Sequence, residues 1–181
     1  MRSRKGTGPS PSWGCLVPVD LFRIDDRRIH GQVVVGWGQP LDLRFIVLVD
    51  DEIAASDWEQ ELYRMGVPPT MDVFFESVAT AAQDFTRFTR DQRHGMLLTS
   101  DIDTMRQLVH QLPQAIRTVN LGGIHHRPGR SPKLRYVFLD GAEEGALRSL
   151  AACGVVVTAQ DVPAARPVPL EELLAPHGAA K

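Results

Sequence analysis

Short apolar runs alternate with amphipathic stretches of helix length along most of this chain, and that alternation leaves few folds open. Strand-like runs are Val17 to Ile24, Phe45 to Val49, Val73 to Phe75, Gly95 to Leu98, Ile116 to Leu121, a short Tyr136 to Leu139 and Val155 to Thr158. Between them the spacing predicts helices. One starts near Ile29 and runs to Trp37, with Val33 and Trp37 on one face. A second runs from Ser56, as N-cap of a capping box with Glu59, to Met65, where Gly66 ends it. Others cover Ser77 to about Phe88, a stretch capped by Ser100 or Asp101 and stopped at Pro113, and Asp140 through Ala152. A short helical piece, Leu170 to Leu174, lies near the end. Strands joined through helices require right-handed crossovers and a mainly parallel sheet covered on both faces. The expected fold is therefore α/β, a three-layer α/β/α arrangement, with the Tyr136 segment open to antiparallel pairing. Ligands of such sheets sit beyond the carboxyl ends of the strands. That rule selects Asp25 to His30, Asp50-Asp51, Thr99-Ser100 and Asn120 to Gly123.

Length and composition narrow the class. A chain of 181 residues, 43% hydrophobic and 23% charged, suits one globular unit without a second core or an internal repeat. A formal net charge of −2 supplies no global field for nucleic acid or an anionic membrane. No apolar run approaches the roughly 18 residues of a bilayer span. Basic residues near the start (Arg2, Arg4, Lys5) are followed by Gly, Pro and Ser rather than an apolar stretch, so no secretory signal is expected. Cys15 and Cys153 alone build no disulfide framework, which suits a reduced, cytoplasmic chain. Residues 1–16 read as a flexible tail or as the product of a misplaced start codon, residues 17–174 as the folded domain and residues 175–181 as a C-terminal tail.

The first strand end carries the most unusual chemistry: Arg23-Ile24-Asp25-Asp26-Arg27-Arg28-Ile29-His30-Gly31-Gln32-Val33. Two acids, three arginines and a histidine share one strand-to-helix loop. A neutral imidazole is a nucleophile, and neighbouring arginines disfavour a second positive charge on it. A phosphoryl group placed on His30 would carry about −2. Arg27 and Arg23 are candidates to pair with it through two-pronged hydrogen bonds, each charge-assisted contact contributing roughly 1.5–3 kcal/mol. N–H groups at the start of the following helix would add a favourable dipole. Gly31 lacks a Cβ and would let a phosphate or a partner's backbone approach. Asp25 and Asp26 would hold the arginines or accept loop N–H bonds. The bland alternative is an ion-paired surface loop with a solvated histidine.

The same eleven residues resemble the phosphorylation-site motif of IIB components of the mannose/fructose/sorbose-type phosphoenolpyruvate-dependent sugar phosphotransferase system, whose common form is R-I-D-D-R-L-I-H-G-Q-V. Val49 to Ala54 resembles that family's V-D-D-E-V-A segment, and Val119 to His125 its V-N-V-G-G-M-H. Val162-Pro163 and Val168 to Leu174 also fit, so the resemblance spans roughly Val17 to Leu174. It implies that His30 receives a phosphoryl group on its pros nitrogen from a phosphohistidine of a IIA component, itself charged by the phosphocarrier HPr. The group then passes to a sugar held by membrane IIC and IID subunits. The enzyme class implied is a protein-phosphohistidine–sugar phosphotransferase with no metal or small cofactor. Supporting positions implied by the motifs are Asp25, Asp26, Gly31, Gln32, Asn120, Gly122, Gly123 and His125. Arg28 departs from the family's usual Leu and adds a charge beside the site, and residues before about 17 have no family counterpart.

The remaining candidates divide simply. His125 and His126 are adjacent, so their side chains diverge and make a poor metal pair. Asn120 and Gly122 suit either a tight turn or the site. Asp50 and Asp51 suit a helix cap better than contacts to Arg27. Trp37 and Trp58 suit core or interface, and His94 and His110 suit structural roles. Gly36 and Gly38 flank Trp37 in and after a helix, so they form no dinucleotide fingerprint. A regulatory phosphoprotein using the same His30 without meeting a sugar is the alternative function. A homo-oligomer is compatible with the sequence, and the sugar is not encoded here.

Overall fold

A computed structural model describes residues 19–175. The expected N-terminal tail, the Val17 start of the first strand, Cys15 and nearly all of the C-terminal tail lie outside those residues. The main sheet has seven strands: β1 (Leu21–Ile24), β2 (Phe45–Val49), β3 (Asp72–Glu76), β4 (Gly95–Thr99), β5 (Thr118–Leu121), β8 (Val156–Ala159) and β9 (Val168–Pro169). Its order is β3-β2-β4-β1-β5-β8-β9, and every pairing is parallel except that of β8 with the two-residue edge strand β9. A separate ribbon pairs β6 (Ser131–Leu134) with β7 (Val137–Leu139).

Strand β2 explains why the sheet is covered twice. All five of its residues are buried, and they alternate between two cores. Phe45, Val47 and Val49 face one core with α3 (Val78–Gln83), α4 (Phe85–Thr89), α5 (Ile102–Gln111), α6 (Gly141–Ala152) and α7 (Leu170–Leu173). Ile46 and Leu48 face the other, with Val33, Val34, Trp37, Leu43 and Ile53. Strand side chains alternate in direction, so a continuous apolar run is stable only between two packed layers. Each fully buried Leu, Ile or Phe contributes on the order of 1.5–3 kcal/mol. The fold is the expected α/β type with a mainly parallel central sheet.

Local details depart from the sequence reading. The stretch after His30 is π-helical from Gln32 to Trp37, with the N–H of Gly38 donating to the carbonyl of Val33 at 3.0 Å. The wider turn sends Val33, Val34 and Trp37 inward together. The helix α2 (Asp57–Met65) starts after Ser56 and ends at Gly66 as expected, but the Ser56 side chain makes no cap bond. A short preceding helix, α1 (Asp51–Ala54), runs into it, and Gln60 donates to the carbonyls of Ile53 and Ala54 at 3.1 Å each. Asp50 is the cap of α1, accepting from the N–H groups of Glu52 and Ile53. The expected single helix from Ser77 breaks at Asp84 into α3 and α4. Asp101, rather than Ser100, caps α5 by accepting from Thr104 N–H. The Tyr136 segment does pair antiparallel, but with β6 in its own ribbon. Pro132 hid β6 from the sequence, because proline is tolerated only in edge strands. No described helix is long and apolar enough to cross a membrane.

Candidate functional site

The loop after β1 is held from both sides by the strands that flank it. Asp25 N–H donates to the carbonyl of Thr99 on β4 at 3.0 Å; Asp26 N–H donates to the carbonyl of Gly123 after β5 at 2.9 Å. Gly122 N–H returns a bond to Ile24 at 2.7 Å. The motif after β1 and the Asn120–Gly123 segment therefore form one surface.

Beneath it lies a buried polar platform. Arg23 and Asp25 are both fully buried and meet at 2.9 Å. Arg23 also donates to the Asn120 side chain and to the carbonyl of Gln160, 3.0 Å away. Its guanidinium sits 4.9 Å from the centre of the Trp37 ring. Burial pulls the Arg23 guanidinium below its ordinary pKa, and the Asp25 carboxylate opposes that shift. Asp25 spends its other contacts on the loop itself, accepting from Gly123 N–H at 3.2 Å and Arg27 N–H at 3.3 Å. Gly122 belongs to this packing: a Cβ there would lie 2.3 Å from Arg23 Nη2 and 2.6 Å from Asp25 Oδ2. Arg23 thus faces inward, and the expectation that it pairs with a phosphate at the surface is corrected. A guanidinium with no exposure and three protein partners does not reach solvent.

Removing one member of a buried pair leaves the other charge uncompensated, which costs about 3–5 kcal/mol. Asp25→Ala is expected to lower the melting temperature by roughly 6 to 20 °C for a chain of this size. Thermal unfolding followed by circular dichroism checks this. A melt within 2 °C of wild type would mean that the pair does not hold the loop.

Above the platform are the groups that reach the surface. His30 has 18% of its side chain exposed. Its Nδ1 lies 2.9 Å from the carbonyl oxygen of Arg28 and 4.0 Å from Asp25 Oδ1. Arg27 is 43% exposed, lies 3.8 Å from Asp25, and donates through Nη2 to Gln32 Oε1 at 2.6 Å. Gln32 in turn donates to Asp161 at 2.6 Å. Gly31 opens onto free space, since a Cβ there would meet nothing within 4 Å. Asp26 grips His125 twice, at 2.7 Å to its N–H and 2.6 Å to Nδ1. A Cβ on Gly123 would lie 3.3 Å from His125 and 3.7 Å from Arg27, so these two side chains border the same space. His126 turns away, its ring edge-on to Phe138.

Asp50 does not touch Arg27. It pairs with Arg28 at 2.8 Å, and although burial raises its pKa, the hydrogen bonds from Arg28 and Ile53 N–H outweigh that and hold it below the usual carboxylate range. Asp51 accepts from Val78 N–H at 2.8 Å. Sequence reasoning missed Gln160 and Asp161. Asp161 steadies Gln32, receives the Trp37 indole N–H on its carbonyl at 3.0 Å, and meets Arg135 at 3.1 Å. The signal was present, because both residues follow the carboxyl end of β8, where the rule applied to the other strands also points.

The loop after β1, the central strand of the sheet, thus brings a histidine and an arginine to one surface. The family model for the PTS system sorbose subfamily IIB component matches residues 19–181, and the chain belongs to that family. It is 33% identical over 138 residues to the sorbose-specific EIIB component of Klebsiella pneumoniae, spanning 76% of this chain and 83% of that protein. It is 29% identical over 144 residues to the mannose-specific EIIAB component of Escherichia coli K12, spanning 80% of this chain and 44% of that longer protein. Among solved structures, manxB from Thermoanaerobacter tengcongensis superposes with a TM-score of 0.78 at 30% identity, covering 88% of this chain and 96% of that one. The IIBSor domain of the Klebsiella pneumoniae sorbose permease gives 0.77 at 29%, covering 86% and 96%. As a IIB component the protein is a phosphotransferase that accepts a phosphoryl group from a IIA component and transfers it to a sugar. The family works with IIA and with IIC/IID components, and the fused EIIAB relative supports the IIA partnership.

Proposed function

We propose that His30 is the residue that carries the phosphoryl group, with Arg27 as its clamp, at a cytoplasmic site between IIA and the membrane IIC/IID subunits. The observation that carries this reading is the division of the loop. Arg23, Asp25, Asn120 and Gly122 form a rigid base, while Arg27, Gly31 and His125 open to the surface beside His30, whose ring is 18% exposed. Rigid support below and open access above are what phosphoryl transfer requires, since its catalysis is mostly positioning and charge neutralisation. In the step, a ring nitrogen of His30 attacks phosphorus, the nitrogen–phosphorus bond on the donor histidine breaks, and the donor ring regains a proton from solvent. The His30 ring releases its own proton to solvent. Arg27 neutralises the equatorial oxygens, Gln32 keeps its guanidinium forward, and Asp26 orients His125 beside the incoming group. Asn120, Gly122 and Gly123 keep the base in register.

Incubating the chain with phosphoenolpyruvate, enzyme I, HPr and a cognate phosphorylatable IIA protein tests the reading. One acid-labile phosphoryl group per chain is expected, mapped to the peptide containing His30. Label on His125 or His126 instead overturns it.

A further inference from the structure

Arg28 stands where the resembling motif has Leu, and three independent contacts converge on it. Its backbone is left-handed, with φ at 59°, a conformation unfavourable for any residue bearing a Cβ. Its side chain Nε donates to Asp50 Oδ2 at 2.8 Å. That carboxylate is itself immobilised: Ser100 Oγ donates to the same oxygen at 3.1 Å, and Oδ1 caps α1. Its N–H donates to the carbonyl of Asp25 at 2.9 Å, and its own carbonyl is the partner of His30 Nδ1. A carbonyl oxygen only accepts, so a neutral His30 ring must carry its proton on Nδ1 to make this bond. The lone pair then falls on Nε2, which is buried and has no hydrogen-bond partner among the described residues. In this arrangement Nδ1 is not the nucleophile.

We propose that the Arg28–Asp50 ion pair sets the ring state of His30 by pinning the left-handed backbone at residue 28, so that its carbonyl holds the Nδ1 proton. Arg28 is a positioning residue, acting on the reaction through the histidine it holds. This rests on the reading of His30 as the phosphoryl carrier. Acceptance on Nδ1, the pros nitrogen that the family resemblance implies, then requires the ring to leave the Arg28 carbonyl and its proton to exchange through solvent to Nε2. The ion pair is therefore a restraint on acceptance. Replacing Arg28 by Leu removes one of three contacts that fix the strained backbone, loosens the carbonyl and raises the population with a free Nδ1. The net worth of one ordinary hydrogen bond corresponds to about 2- to 12-fold in that population, and acceptance scales with the competent fraction.

The test uses the full chain with 15N-labelled histidine. Long-range proton–nitrogen correlation spectra at a pH where the ring is neutral report the tautomer of His30, and rapid-quench transfer from phosphorylated IIA reports acceptance. Wild type is expected to show the Nδ1–H form. Arg28→Leu is expected to shift toward Nε2–H and to accept about 2- to 12-fold faster, with Arg28→Lys between the two. Arg28→Gly tolerates the left-handed backbone but lacks the pair, and is expected to resemble Arg28→Leu. An Nε2–H tautomer in wild type, or an Nδ1–H signal unchanged in both Arg28→Leu and Arg28→Gly, overturns the inference. If those signals shift while the rate falls, the restraint on acceptance is also overturned. Failure of the carrier reading is seen separately, as wild-type label mapped to a residue other than His30.

Discussion

His30→Ala is expected to take up no acid-labile phosphate from a IIA donor while keeping its fold. On the proposed reading the nucleophile is lost outright, and no described group is placed to replace it. His125 is the nearest alternative, but Asp26 holds its Nδ1 at 2.6 Å, and its ring stands beside the clamp rather than at the helix start. His126 is engaged edge-on with Phe138. The structural cost is small because the ring is partly exposed and makes one hydrogen bond, to the Arg28 carbonyl. Loss of that bond costs about 0.5–1.5 kcal/mol. The variant should therefore melt within a few degrees of wild type. Radiolabel incorporation and a thermal melt on the same preparation check both halves. Persistent label in a folded His30→Ala protein would assign the carrier elsewhere.

Arg27 is expected to give a graded series: wild type fastest, Arg27→Lys slower, Arg27→Ala slowest, by roughly 30- to 150-fold. That factor corresponds to one charge-assisted contact of about 2–3 kcal/mol acting on the transition state. Lysine keeps the charge but not the planar two-pronged geometry. The positions of the three arginines sharpen the expectation. Arg23 is sealed in the base and Arg28 is tied to Asp50, whereas Arg27 is 43% exposed, donating through Nη2 to Gln32 with Nε 3.8 Å from Asp25. Gln32→Ala should lower the rate less than Arg27→Ala, because it frees the clamp without removing it. Rapid-quench transfer from phosphorylated IIA measures each variant. Arg27→Ala transferring at the wild-type rate would make Arg27 a loop-shaping residue alone.

The sequence by itself determined the layered α/β architecture and singled out the strand-end loop where the proposed site lies. Runs such as Phe45 to Val49, apolar on every residue, are stable only between two helical layers. A cluster as charged as Asp25 to His30 suits a strand end, where backbone groups, ion pairs and solvent together satisfy it. Local chemistry also sufficed for the Asp140 cap and for a cap at Asp50, because capping depends on neighbours three residues away, but it left Ser100 and Asp101 undecided and expected a cap bond from Ser56 that is not made. Only the tertiary structure decided how the motif divides its labour. Arg23, Arg27 and Arg28 are alike as residues, and nothing in their spacing says which is buried. The strand period sends Arg23 into the sheet, where Asn120 and Gln160, 97 and 137 residues further along the chain, enclose it together with the nearer Trp37. Arg28 is drawn off by Asp50 from the end of β2, and Arg27 is left facing the open side. The strand-end rule could have pointed to Asp161, but its partners and the π-helical turn were beyond local reading. Asp161 meets Gln32 and Trp37 across more than a hundred residues of sequence, a contact made only when the chain is folded.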